Sequence, residues 1–213
     1  MKKSLILLCA FLCLLVFPAA ALDVSLAMKE WGTWNLKYGR MYQDNLKTSS
    51  SRIHFPVEQQ GSMLYKFNVR YEGGGEDGHA GVGVHVFVDK PSKGFAWGDG
   101  NSYLLWLNYD ENPGNSKIPA GLSAQIYKST SNSRMVLLDS ISLREYESYL
   151  TGDILGQSIP VTLMINGTTG DGWIADPADP SVHYTFKLPV TSPMRGHYVS
   201  LRTNGMAASF GID

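Results

Sequence analysis

Between residues 64 and 128 the chain alternates apolar and polar side chains with period two, segment after segment, and Gly, Pro, Asn and Asp fill the gaps. Leu64–Tyr71 (LYKFNVRY), Ala80–Val88 (AGVGVHVFV), Tyr103–Tyr109 (YLLWLNY) and Ser123–Lys128 (SAQIYK) each read as a strand with one buried face. The alternation sorts side chains. With Tyr65, Phe67, Val69 and Tyr71 turned inward, Lys66, Asn68 and Arg70 turn out. With Val82, Val84, Val86 and Val88 inward, His85 and Phe87 turn out. With Tyr103, Leu105, Leu107 and Tyr109 inward, Trp106 and Asn108 turn out. With Ala124 and Ile126 inward, Gln125 and Tyr127 turn out. A single outer face that carries these residues mixes flat aromatics with amides and a guanidinium, the chemistry a sugar-binding surface requires.

The rest of the chain reads in the same way. Trp31–Gln43 fits two short strands joined at Tyr38-Gly39-Arg40, and Ile53–Val57 a brief strand ended by Pro56. Arg134–Ser140, Pro160–Asn166, Tyr184–Leu188 and His197–Thr203 read as strands. Ser209–Asp213 reads as a last strand paired to an N-terminal one. Ser142–Leu150 is the one helical segment, opened by Ser142 with Glu145 three residues on. Leu22–Glu30 fits a short helix or a docked strand. Many short strands with Gly-rich turns and one helix predict an all-β chain, a two-sheet antiparallel jelly roll or β-sandwich.

At the N-terminus, Lys2 and Lys3 precede the apolar run Leu5–Phe17, and Ala19-Ala20-Ala21 supplies small residues at a cleavage position. This predicts a signal peptide over residues 1–21 and a single domain over 22–213, exported to the periplasm or secreted, with the lysine pair in bacterial style. Cys9 and Cys13, the only cysteines, both fall in that leader, so the domain must be held by its core without disulfides. The 18 basic and 19 acidic residues nearly balance and form no run, which argues against a nucleic-acid partner. No further segment is long and apolar enough for a helical membrane span.

The order of these strings resembles the concanavalin A-like lectin/glucanase superfamily, including laminin-G-like jelly rolls. A Trp-containing hairpin is followed by Y-x-F-x-V-x-Y, G-V-G-V-H-V, Y-x-L-x-L-N-Y-D-E and S-A-Q-I-Y-K. A short helix comes next, then P-V-T-L-M-I-N-G and the closing G-H-Y-V-S-L-R-T-N-G-M-A-A-S-F. The resemblance spans residues 31 to 213 and implies a sandwich whose members bind glycans, cleave them, or serve as scaffolds.

Cleavage by hydrolysis needs two carboxylates at a fixed separation across the scissile bond. Members that hydrolyse carry E-x-D-x-x-E or E-x-D-x-E on one strand, and this chain has no such run; Glu72, Asp89, Asp110 and Glu111 fall at strand ends or in loops. The polysaccharide-lyase variants use Arg, Gln, His and Tyr, and Arg70, His85, Gln125 and Tyr127 are of those types, without the surrounding lyase strings. Three readings remain open. The first is a non-catalytic lectin-like protein that binds a glycan through Lys66, Asn68, Arg70, His85, Trp106, Asn108, Gln125 and Tyr127, with Trp106 and Tyr127 as stacking residues. The second is a structural subunit of an envelope or surface assembly that uses the aromatic face as a protein interface. The third is a polysaccharide hydrolase or lyase. No cofactor is expected; calcium is left open, because Gly98-Asp99-Gly100-Asn101 and Asp110-Glu111-Asn112 offer hard oxygens in loops, although such residues also simply form turns.

Overall fold

The computed structural model describes residues 22–75, 79–147 and 155–211. The leader expected over residues 1–21 lies outside them. The fold is a two-sheet antiparallel β-sandwich with one short helix, as the alternation predicts. The strands are β1 (Met28–Trp31), β2 (Trp34–Lys37), β3 (Arg40–Gln43), β4 (Ser51–Gln60), β5 (Ser62–Gly74), β6 (Gly81–Val88) and β7 (Ser102–Asp110). They continue with β8 (Gly121–Ser131), β9 (Arg134–Ser142), β10 (Ser158–Asn166), β11 (Asp171–Ala175), β12 (His183–Lys187), β13 (Arg195–Asn204) and β14 (Met206–Gly211). The helix α1 spans Arg144–Glu147, and the end of the segment read as helical lies outside the described residues.

One seven-stranded sheet, the front sheet, runs β1-β4-β13-β6-β7-β8-β9; the other, the back sheet, runs β12-β11-β10-β5-β14-β3-β2. Strands β4 and β5 are consecutive in sequence yet lie in opposite sheets, as do β13 and β14. Gly61 and Gly205 make these crossings with φ of 63° and 62°, angles that glycine adopts without penalty. The hairpin of β2 and β3 turns through Tyr38 and Gly39, both at positive φ, as a two-residue primed turn demands.

Between the sheets Val82, Val84, Val86, Leu105, Leu107, Ala124 and Ile126 of the front sheet meet Val69, Val161, Leu163, Ile165, Ala208 and Phe210 of the back sheet. Burying these side chains is the main favourable term for a domain with no disulfide. Phe67, Tyr65 and Tyr71 pack against the same core as expected.

Three expectations need correction. Phe87, read as outward, joins the core, and Val88 does not. The register of β6 slips against β13 between Tyr198 and Ser200, and Phe87 takes φ of 53°, so a bulge reverses the alternation there. Tyr109, read as inward, is half exposed past the end of the core and donates to Glu111. Strand β4 does not stop at Pro56 but continues to Gln60: β1 covers only Arg52 to His54, so Pro56 sits where that side of β4 has no β1 partner for an N–H to serve.

Candidate functional site

The strand registers draw a straight row across the outer face of the front sheet. Trp31, Arg52, Arg202, Gly83, Trp106, Gln125 and Ser140 are successive cross-strand partners. The next row holds His54, Ser200, His85, Leu104 and Tyr127. Of the residues singled out in sequence, His85, Trp106, Asn108, Gln125 and Tyr127 come together here. Lys66, Asn68 and Arg70 do not: β5 belongs to the back sheet, so they face the opposite side of the molecule. The single mixed face is therefore two faces. Alternation along a strand tells in from out but not which sheet the strand joins.

Most of the front-sheet set is also closed to solvent. The loop from Asp89 to Asn101 folds back over the rows. Arg52 donates through Nη1 to Gly98 O at 2.5 Å and through Nη2 to Gly94 O at 3.1 Å, and Arg202 Nη1 donates to Trp97 O. Beneath the loop Asp99 is committed to four donors: the Ser92 N–H at 2.8 Å, the Ser92 hydroxyl at 2.9 Å, the Ser200 hydroxyl at 2.6 Å and His54 Nε2 at 3.1 Å. His85 continues the chain. Arg202 can only donate, so its long 3.5 Å contact with His85 Nε2 makes that nitrogen the acceptor and puts the proton on Nδ1. Nδ1 then donates to Ser102 Oγ at 2.9 Å, and Ser102 donates to Asp99 O at 2.8 Å. Burial, with Arg202 and Arg52 nearby, pushes His85 down to about 3, so it is neutral at physiological pH. Hydrogen bonding from His54 and the charges around it outweigh burial at Asp99 and hold its carboxyl well below the usual range.

Trp106 is 8% exposed. Its ring packs on Gly81 and Gly83, where a Cβ would come within 2.5 Å and 2.9 Å of it, and the Arg202 guanidinium lies 5.6 Å from its centre. The amides beside it serve each other. Tyr127 donates to Gln125 Oε1 at 2.6 Å, Gln125 Nε2 donates to Asn108 Oδ1 at 3.2 Å, and Asn108 Nδ2 donates to Ala80 O at 2.6 Å. His85, Trp106, Asn108 and Gln125 are thus a packed second layer, while Tyr127 keeps part of its surface open. The quartet of lyase-type residues is divided as well, with Arg70 on the far sheet and His85 and Gln125 buried.

On the back sheet Lys66 is exposed, whereas Asn68 and Arg70 are tied down. Arg40 donates to Asn68 Oδ1 and, through Nε, to Ser209 Oγ at 2.8 Å; Arg70 Nε donates to Glu72 Oε1 at 2.6 Å.

The residue the sequence reading left out is Arg202. Arg202 carries the loop carbonyl and packs against both tryptophans, 5.2 Å from the centre of Trp97 and 5.6 Å from that of Trp106. Trp97 has that buried cation on one side and is still 48% exposed. The signal for Arg202 was present, since Val199 and Leu201 point in and so place Ser200 and Arg202 on the outer face. Among the described residues no group of three or more His, Cys, Asp or Glu side chains could hold a metal ion.

No known family's sequence profile matches the chain, and no curated protein sequence does. Solved structures do match. The carbohydrate binding module CBM66 from Bacillus subtilis superposes with a TM-score of 0.58 at 13% identity, over 87% of this chain and 91% of that one. The metal-free carbohydrate recognition domain of Emp46p superposes with a TM-score of 0.55 at 12% identity, over 87% and 85%. The chain has a concanavalin A-like jelly-roll fold. Within that concanavalin A-like frame, two aromatic side chains on the front-sheet side stay open to solvent: Trp97, which packs on the buried Arg202 guanidinium, and Tyr127, which is partly exposed. The carboxylate beneath the loop, Asp99, is sealed and fully engaged, which leaves it no part in protonating a glycosidic oxygen.

Proposed function

We propose that this chain is an exported, non-catalytic carbohydrate-binding protein that holds a glycan against Trp97 and Tyr127 on the front sheet. The observation that carries this reading is Trp97, an indole backed by the Arg202 cation and open on about half its surface. An aromatic face held rigidly in this way buries the C–H face of a sugar at little entropic cost. The fold supports the reading, because the superposed structures are a carbohydrate binding module and a carbohydrate recognition domain. Export to the periplasm or beyond rests on the leader-like residues 1–21.

The test is a glycan array probed with residues 22–213 and with Trp97→Ala. Binding that disappears in Trp97→Ala while the melting temperature holds supports the reading; a ligand bound equally by both proteins, or no ligand at all, removes it.

A second reading has its own observation. Trp31 at the end of β1 and Phe95 of the loop that carries Trp97, both half exposed, meet edge to face at 6.2 Å. Exposed aromatics of this kind also suit a protein interface in an envelope assembly. A large complex in native extracts that is indifferent to sugars favours that reading.

A further inference from the structure

At one end of the sandwich a cavity of about 260 Å³ opens between the ends of β7 and β8 and the segment that leads into β13. Lys128, Tyr103, Asn101, Thr191, Ser192 and Arg195 line it. Its floor is preset. The Tyr103 hydroxyl donates to Pro189 O at 3.1 Å, and the Lys128 ammonium rests 4.0 Å from the centre of the Tyr103 ring. The rim is anchored as well, since Met194 N–H donates to Gly167 O at 2.7 Å.

Lys128 is half-buried, and among the described residues neither it nor Arg195 forms an ion pair. The acidic neighbour of Lys128, Asp89, spends Oδ1 on the N–H groups of Lys90 at 2.6 Å and Asn101 at 2.8 Å. Burial pushes the Lys128 ammonium down, with Asp89 opposing. A partly desolvated cation held over an aromatic ring, beside a second cation, hydroxyls and an amide, is organised to receive a negative charge. A cavity of this size is below the roughly 300–1,000 Å³ of sites for larger ligands, so its occupant is about one sugar unit.

We propose that this cavity binds a single carboxylated unit of uronic-acid type, its carboxylate on Lys128 and Arg195 and its hydroxyls on Ser192, Thr191 and Asn101. The proposal goes beyond the Trp97 surface and does not depend on it.

The experiment is a titration of residues 22–213 with glucuronate and, separately, with glucose, followed by amide NMR shifts. Saturable shifts at Asn101, Thr191 and Arg195 with glucuronate, none with glucose, and at least a tenfold loss of affinity in Lys128→Met are expected. Should Lys128→Met fail to fold, Arg195→Ala at its exposed position carries the test, with a loss of at least threefold. Absence of saturable shifts with glucuronate, equal binding of glucose, or undiminished affinity in the folded variant overturns the proposal.

Discussion

His54 Nε2 faces the Asp99 carboxylate at 3.1 Å, and neither side chain reaches solvent. Around this pair the protein stores its sensitivity to acid. His85, held near 3 against an ordinary 6.5, takes up a proton only in the unfolded chain over that interval. Its neutral form is therefore a source of stability that fades as pH falls from about 6.5 toward 3, at about 1.4 kcal/mol per pH unit at most. Asp99, held below the usual carboxylate range, acts in the same direction: its contribution is present above about 4 and is lost below it. Denaturant midpoints at pH 7.5 and 4.5 check this, with a lower midpoint at 4.5 expected and a flat profile against it.

Asp99 is the counter-ion beneath the loop for two buried guanidiniums, Arg52 and Arg202. Asp99→Asn strands both cations, and by the usual cost of an unpaired buried charge it destabilises by about 3–5 kcal/mol. Arg202→Met leaves Arg52 and Asp99 as a balanced pair and mainly orphans the Trp97 carbonyl and the Ser50 hydroxyl, a cost of about 1–3 kcal/mol. Urea titrations of the two variants decide the ranking. A milder effect for Asp99→Asn than for Arg202→Met contradicts this charge account.

The two tryptophans that pack on Arg202 are expected to separate the proposed binding from stability. Trp106→Ala empties a packed site and costs about 3–5 kcal/mol. Trp97→Ala removes a half-exposed ring and is expected to shift stability by about 1 kcal/mol or less, while removing the proposed glycan binding. Thermal melts of both variants, read beside the array, give the contrast, and a larger loss for Trp97→Ala denies it.

Gly83 is the seat of the Trp106 ring. A Cβ there would fall 2.1 Å from Leu105 O and 2.9 Å from the indole. Gly83→Ala must move either the strand or the ring, for about 1–3 kcal/mol. A melting temperature equal to that of the parent shows that the strand yields freely and the fit is loose.

Period-two patterning foretold β5 to β8 and the inward set of valines and leucines, because burial of one strand face is written locally. It failed where a long-range event intervened. The bulge at Phe87 is imposed by pairing with β13, more than a hundred residues away. The assignment of Lys66, Asn68 and Arg70 to one surface with Trp106 failed because the crossing between β5 and β6 is a property of topology, not of pattern. The docking of the Asp89–Asn101 loop onto the front sheet is equally non-local, because it depends on Arg52 and Arg202, which sit in strands remote from it.

The arginines grip the Asp89–Asn101 loop by the carbonyls of Gly94, Trp97 and Gly98, atoms that every residue type possesses. The side chains at positions 93, 95 and 97 can therefore be exchanged while the frame beneath them stays fixed. A family of such proteins could drift from one target to another by rewriting those few positions, and a library randomised there would be a ready source of new binding specificities on an unchanged scaffold.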